Sequence, residues 1–399
     1  MEFADFLVIG GGVIGISTAR ELKKRYPDSK ITLIEKEKEC GMHASSRNSG
    51  VLHAGFYYSS DSLKAKFTKN GNELMTEYCE LKEIPINKCG KLVVAKNKDE
   101  LPLLAELLKR GRANGVELKE ITSDEARLIE PRVQTYKKAI FSPTTSTVNP
   151  LNVMKSMYKD AVHEGIKINC DERYLKRKGD DIFTSKGVYN ANYIVNAGGL
   201  YADTIAKNFG FSENYRILPF KGLYLYSSES PFSIHTNIYP VPDLKNPFLG
   251  VHFTVTQDGH LKIGPTAIPA FWREQYKSLD NFKFSEFMDI IIREMGLFMF
   301  SNFDFKRLAF DEIKKYSKTK LVSLAGELVS EIKEDDFTRW GEAGIRAQLV
   351  NIKKKSLEMD FVIEGDKKSM HILNAVSPGF TCAIPFASYV CDKIQEELH

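Results

Sequence analysis

Three glycines, Gly10, Gly12 and Gly15, constrain what this chain can fold into more than any other feature of it. They follow Phe6-Leu7-Val8-Ile9, a short apolar run that reads as a strand buried on both faces. They precede a segment in which Ile16, Ala19, Leu22 and Tyr26 recur at helical spacing, with Arg20, Glu21, Lys23 and Lys24 on the far face and Pro27-Asp28 as the stop. Ile31-Thr32-Leu33-Ile34 reads as a second buried strand and completes a β-α-β unit. In that setting each glycine has a task. Gly10 permits the tight turn, Gly12 lets backbone amides approach a pyrophosphate, and Gly15 lets the helix pack on the strand. The helix amino end, at Val13 and Ile14, then faces phosphate. Glu35, at the carboxyl end of the second strand and followed by Lys36, is placed to accept from a ribose hydroxyl, which predicts an unphosphorylated adenosine ribose. Glycines that merely make a turn are the plainer reading; strand, helix and acid together outweigh it.

The remaining composition bounds the architecture. A chain of 399 residues, 43% of them hydrophobic, fills one large core or two moderate ones, and two lobes are expected. The net charge of +4 is spread over scattered lysines, which speaks against nucleic acid and leaves room for a small acidic substrate or an anionic membrane surface. Met1-Glu2-Phe3-Ala4-Asp5 lacks the positive charge of a secretory leader, and no apolar run approaches the roughly eighteen residues of a membrane span. The expectation is a cytoplasmic protein, or one peripheral on the inner face of the cell membrane. Six cysteines show no C-x-x-C pair and no histidine at metal-ligand spacing, so they read as reduced thiols without a metal.

Tyr193-Ile194-Val195-Asn196, ending in Ala197-Gly198-Gly199, reads as a third strand of the first kind, so the same sheet is revisited late in the chain. Before it come a strand at Lys91–Ala95 and a helix from about Leu101 to Arg112. After it, residues 216–270 read as short aromatic strands, such as Gly222-Leu223-Tyr224-Leu225-Tyr226 and Leu249-Gly250-Val251-His252-Phe253. The predicted fold is α/β: a discontinuous Rossmann-like domain of residues 1–78, 143–215 and 340–399, with an inserted antiparallel-sheet domain of residues 79–142 and 216–339.

The glycine motif serves FAD and NAD alike. The next segment separates them: Cys40 to Tyr58 is small, polar and glycine-spaced, with Ser46, Arg47, Asn48, Ser49 and Gly50 at its centre. Such a stretch suits close backbone approach to a second phosphate and a flat ring, which FAD needs and a nicotinamide does not. With it, the chain resembles the D-amino-acid-oxidase-like flavoproteins, and among them the L-2-hydroxyglutarate dehydrogenase/oxidase family. The likeness covers essentially the whole chain. It rests on Arg47–Tyr58, Ser62–Lys66, Cys89–Ala95, Asn237–Asp243, Pro247–Thr254, Gly264–Ala267, Gly344–Gln348 and His371–Ala375. The resemblance implies FAD across the Rossmann-like domain, a metal-free site, and a substrate held between the flavin ring and the inserted sheet. Expected cofactor contacts include the glycine loop, the 46–50 segment, His53, Ala197, Gly198, Gly379, Phe380 and Thr381.

Oxidising an alcohol by hydride transfer needs a carboxylate anchor, a base near the hydroxyl and a flavin N5 near the α hydrogen. Arg346 is the expected anchor: its planar fork suits a carboxylate, and its Gly-x-Arg setting resembles the substrate-binding arginine of amino-acid oxidases. His53 and His252 are both candidate bases. His53 is alternatively a ring contact or a covalent attachment point, and His252, between Val251 and Phe253, is alternatively structural. A dicarboxylate calls for a second cation, with Lys221, Lys64 and Arg273 as candidates and Tyr57, Tyr58 and Tyr239 as phenolic donors. The expected reaction is FAD-dependent oxidation of L-2-hydroxyglutarate to 2-oxoglutarate, electrons passing to a quinone or to oxygen. A glycine- or D-amino-acid-oxidising enzyme of the same superfamily is the alternative, and Asn237–Thr254 argues against it. Phe282–Phe310 is unusually apolar. A core helix is the preferred reading; an interfacial patch flanked by Lys306, Arg307, Lys314 and Lys315, docking on a membrane to reach quinone, is the other.

Overall fold

The strand Glu2–Ile9 lies between two parallel neighbours, Ile31–Ile34 and Val188–Asn196, in a register that sets Val8 beside both Leu33 and Val195. All of these positions are buried, as strands covered on both faces must be. The helix Val13–Arg25 makes the crossover and buries Ile16, Ala19 and Leu22, the residues at helical spacing. The parallel sheet extends outward to Lys167–Asn169 on one side and Ser369–Asn374 on the other. Against the crossover helix pack Pro150–His163 and the last helix, Ala383–Leu398.

This computed structural model describes residues 1–228, 234–243, 248–300 and 312–398. Lys306, Arg307 and the Pro247 end of one family-like stretch lie outside the described residues. The chain divides into two compact units, Met1–Asn48 with Pro150–Pro219 and Arg346–His399, and Ser49–Asn149 with Phe220–Ile345. Residues 49–78, expected with the nucleotide domain, group with the second unit. The cause is local pairing: Val51–Leu52 pairs antiparallel with Ser146–Val148, and the helix Leu63–Leu81 packs on that small sheet.

The second unit is built on an eight-stranded sheet in the order Phe337–Trp340, Leu225–Ser227, Leu261–Gly264, His252–Val255, Asn237–Pro240, Lys91–Val94, Lys138–Ser142, Lys119–Thr122. Strand alternation gives it two unlike faces. One carries Leu92, Val94, Ile238, Phe253, Val255 and Ile263, and forms a core with Leu321, Val322 and Ala325 of the helix Lys318–Gly326. The other carries the polar and aromatic alternates.

Two strand expectations change. Gly222–Tyr226 is not one strand: Leu223 and Tyr224 separate Tyr215–Gly222 from Leu225–Ser227, because Leu223 exchanges hydrogen bonds with Thr266 through its own N–H and carbonyl and is held off the ladder. The Leu249–Phe253 strand starts only at His252. The helix Phe284–Phe300 buries Ile290, but Phe284, Met288, Ile292 and Met295 are 68%, 40%, 62% and 55% exposed, so the core reading fails for one face of it. Among the described residues no helix is long and apolar enough to cross a membrane.

Candidate active site

The first unit carries a cradle made of backbone. Gly10 sits at φ +112°, and a Cβ there would stand 2.5 Å from the Ala197 carbonyl oxygen; one on Gly15 would stand 1.9 Å from the Gly10 oxygen. Gly12 caps the helix without a side chain, and the Val13 N–H donates to Ser45 Oγ at 2.9 Å. Glu35 is buried, its two oxygens accepting the Gly11 N–H at 2.7 Å and the Glu37 N–H at 2.9 Å. Each oxygen keeps a lone pair for a hydroxyl. The turn Ala197-Gly198 is fixed by buried Asn196, which accepts from the Gly198 N–H and donates to the Ala202 carbonyl and toward His371 Nδ1. Gly379 makes a second close turn, where a Cβ would meet the Ala375 oxygen at 2.1 Å; Phe380 follows it, and Thr381 is buried at the approach to the last helix. A dinucleotide fits these residues: a helix N-terminus capped without a side chain and close turns with no room for a Cβ stand beside an acid already oriented by backbone donors. Lys36, an expected cofactor contact, lies beside an acid and a histidine. It pairs with Glu37, whose carboxyl is held down to about 2 by the His43 hydrogen bond first and by Lys36 with it. Ser46, Arg47 and Asn48 lie in the turn that ends this segment of the unit, Asn48 bonding back to the Ser45 carbonyl at 2.9 Å, while Ser49 and Gly50 open the second unit.

The second unit carries a site made of side chains. Registers Asn237 to Lys91, Ile238 to Phe253 and Thr254 to Lys262 place Lys91, Tyr239, His252 and Lys262 on one face of four adjacent strands. The segment after Ser49 lies over them, tied by Lys262 Nζ donating to the Ser49 carbonyl at 2.9 Å. The rings of Tyr239 and His252 stack with centroids 3.7 Å apart. His252 Nδ1 lies 2.8 Å from the Gly250 carbonyl, which assigns its proton to Nδ1 and leaves Nε2 a bare acceptor. Buried Nε2 has no hydrogen-bond partner among the described residues. Burial, aided by the Lys91, Lys262 and Lys315 charges and opposed by the Gly250 bond, takes the His252 pKa to about 3. His53, also buried, is driven well below the ordinary histidine value by burial, then by Lys91 and His252. Both imidazoles are therefore neutral at physiological pH.

Two lysines on this face were not singled out in the sequence. Lys91 is 0% exposed and Lys262 is buried; burial lowers them to about 7 and about 8. Neither forms an ion pair or hydrogen bond with a carboxylate among the described residues. Their signal was a cation in the polar slot of an alternating strand, as in Lys91-Leu92-Val93-Val94, where a single lysine next to apolar residues reads as a strand end.

The other candidates scatter. Arg346 falls in the first unit, half-buried, with Nε donating to Gln348 Oε1 at 3.0 Å, so the expected anchor and the expected bases belong to different units. Lys221 is buried in the second unit and its pKa is lowered by that burial. Lys64 is buried on the helix Leu63–Leu81 with its ammonium 5.8 Å from the Tyr58 ring centre. Arg273 is buried, its backbone N–H directed at Glu286. Tyr57 is buried, its hydroxyl held strongly protonated by burial, as is that of Tyr239.

Comparison with known proteins gives the family and the fold. The DAO family, FAD dependent oxidoreductases, matches residues 5–393. The mitochondrial L-2-hydroxyglutarate dehydrogenase of Bos taurus is 36% identical over 417 residues, covering 98% of this chain and 89% of its own. The L-2-hydroxyglutarate dehydrogenase of Escherichia coli K12 is 35% identical, covering 98% and 93%. Among solved structures, the Mycoplasma pneumoniae L-α-glycerophosphate oxidase with FAD bound superposes with TM-score 0.79 at 22% identity, over 99% of this chain and 95% of its own. Glycine oxidase from Geobacillus kaustophilus gives 0.74 at 20%, over 100% and 96%. These two share the fold. The glycine cradle, the inserted sheet and the full-length likeness place this chain in the DAO family of FAD-dependent oxidoreductases and, within it, in the L-2-hydroxyglutarate dehydrogenase family.

Proposed function

We propose that this chain oxidises L-2-hydroxyglutarate to 2-oxoglutarate. The observation that carries the reading is the sheet face of the second unit, where buried Lys91 and Lys262 stand without a paired carboxylate among the described residues, beside the neutral His252 imidazole. A face of that composition favours a substrate that brings its own negative charge. The names of the full-length relatives support the choice of dicarboxylate.

In the reaction the C2–H leaves as hydride, the hydroxyl proton leaves to a base, and the C2–O bond becomes a carbonyl. Gly10, Gly12, Val13, Ile14, Gly15, Glu35 and the turns at 197–198 and 379–381 would hold FAD, which when bound would supply the hydride acceptor. His252 takes the proton on Nε2; its Nδ1–H bond to Gly250 and its stack on Tyr239 fix the ring for that transfer. Burial first holds the pKa of this imidazole far below neutrality. A bound dianion opposes that depression, because negative charge beside an imidazole favours the imidazolium, so the base gains strength when substrate arrives. Lys221 and Lys64, with the Tyr57 and Tyr239 hydroxyls, are the cations and donors of the second unit that serve the substrate's carboxylates.

The electrons then pass to a quinone at a membrane surface. Support comes from the one-sided exposure of Phe284, Met288, Ile292 and Met295 on a helix that begins beside Lys283.

Anaerobic mixing of the yellow protein with L-2-hydroxyglutarate, D-2-hydroxyglutarate, glycine, D-alanine and glycerol 3-phosphate tests the substrate. Rapid bleaching of the flavin band by the first alone is expected. Bleaching by glycine or D-alanine and not by L-2-hydroxyglutarate overturns the proposal.

A further inference from the structure

The mechanism above assigns Lys91 no step, yet its placement is costly. Its side chain leaves the strand Lys91–Val94 inward, and Nζ ends 5.0, 4.8 and 4.6 Å from the ring centres of Phe56, Tyr57 and Tyr239. The nitrogen is fully buried and has no hydrogen-bond partner among the described residues. Three ring faces offer an ammonium partial compensation and no counter-charge. An uncompensated buried cation destabilises a fold, and a methionine of similar length would pack in the same cage without that cost. The two imidazoles share its surroundings: His252 stacks on Tyr239, one wall of the cage, and Phe56 and Tyr57, the other walls, follow His53 in the same segment.

We propose that Lys91 is a positioning residue for these imidazoles: its caged ammonium bars a second positive charge from the cluster and so keeps His53 and His252 in the form that accepts a proton from substrate. The proposal rests on the reading of His252 as base. Like charges close together in a medium of low dielectric repel strongly, so the cluster admits one proton readily and a second with difficulty. Lys91 takes the first.

The other groups around the cluster are few. On the lysine's own strand approach stands the Cys89 thiol, kept protonated by burial. Tyr57 and Tyr58 from the covering segment and Tyr239 from the adjacent strand contribute hydroxyls, those of Tyr57 and Tyr239 also held protonated by burial. Lys262 adds a cation from the strand Leu261–Gly264, and Lys315 adds one that its partner Glu312 largely offsets. Lys262 therefore acts in the same direction as Lys91, and part of the effect survives removal of Lys91.

The test uses the flavin-loaded Lys91→Met and Lys91→Gln variants, with Lys91→Arg as the charge-keeping control. Three readouts are compared: the pH dependence of kcat/KM, the thermal midpoint at neutral pH, and the titration of histidine ring carbons by NMR after selective labelling, with His53→Gln and His252→Gln for assignment. Loss of the charge is expected to move the acid limb of kcat/KM, and the His252 titration, upward by one pH unit or more. A tenfold loss at the foot of the limb accompanies it, while the thermal midpoint holds or rises. Lys91→Arg is expected to keep the limb where it was. Unchanged titration of both imidazoles in the Met and Gln variants overturns the proposal, even if their activity falls. Should the ring titrations move while the acid limb of kcat/KM stays in place, Lys91 acts as proposed on the imidazoles and the reading of His252 as base fails instead.

Discussion

The nucleotide cradle of the first unit and the imidazole face of the second solve the same problem, holding a small molecule, by opposite means. The cradle works by having no side chains: at Gly10 and Gly15 even one carbon would collide with backbone oxygen. The sheet face consists of side chains, gathered from residues 91, 239, 252 and 262 by strand register. A site made of backbone should fail as a whole when altered, because its contacts are also the contacts of the fold. A site made of side chains should fail in degrees, leaving the fold and the cofactor in place.

Gly15→Ala gives the largest expected effect. Its Cβ would stand 1.9 Å from the Gly10 oxygen, and neither the strand nor the helix moves away without the other. Overpacking of this sort costs about 1–3 kcal/mol and often more, and here it falls on the phosphate cradle itself. The variant is expected to purify with little flavin, read from the ratio of flavin to protein absorbance, and to melt earlier. Full flavin content in this variant would break the contrast at its stronger end.

His252→Gln comes next, and it probes the other side. Removing a positioned base lowers kcat by a factor of about 10²–10⁴. Flavin content and the thermal midpoint are expected to stay near those of the parent. His53→Gln, assayed in parallel, sharpens the result: the larger kcat loss is expected at His252, whose ring carries a defined tautomer. An equal or larger loss at His53 would transfer the assignment.

The same contrast explains what could be read from the sequence. The glycine loop lies within six consecutive residues and leaves a pattern that only a strand-turn-helix satisfies, so the fold was legible from it, while the family-like stretches carried the choice of FAD. The sheet face was legible only in part. His252 and Tyr239 stood out because histidine and tyrosine in a family-like strand attract notice. Lys91 and Lys262 did not, because nothing local says which face of a strand a lysine occupies, and a buried cation without a counter-ion runs against expectation. The misread strand at Gly222–Tyr226 has the same origin. Its alternation was real, but the bonds from Leu223 to Thr266 that interrupt it span more than forty residues. Arg346 was singled out from its Gly-x-Arg context, which names a residue type and says nothing of the unit it joins.

A third prediction concerns pH. Lys91 falls from 10.5 when exposed to about 7 in the fold, and Lys262 from 10.5 to about 8. Between the folded and exposed values the unfolded chain binds the extra proton, so stability rises with pH through that window and is lost as pH falls toward about 7. Each group contributes a slope of up to about 1.4 kcal/mol per pH unit. Urea unfolding from pH 7 to 10 is expected to show the slope, and Lys91→Met to flatten it. His252 works the same way lower down: its exposed value of 6.5 drops to about 3, so stability declines as pH falls through that range. Equal slopes in the parent and in Lys91→Met would mean that the face is not a reservoir of uncompensated charge, and the contrast with the cradle would lose its electrostatic half.

The smallest effect belongs to a surface that is part of neither site. Ile292→Ser removes a large exposed side chain from the face formed with Phe284, Met288 and Met295. Burying such a side chain in a lipid interface contributes about 1.5–3 kcal/mol at most, and an interfacial seat captures only part of it. Binding to vesicles with anionic lipid is expected to weaken by about tenfold, while flavin content and turnover with a soluble artificial acceptor stay unchanged. Because neither readout of the cradle nor that of the imidazole face should move, this variant separates delivery of electrons from the chemistry that generates them. Unaltered vesicle binding would remove the membrane from the proposed reaction and leave both sites as they stand.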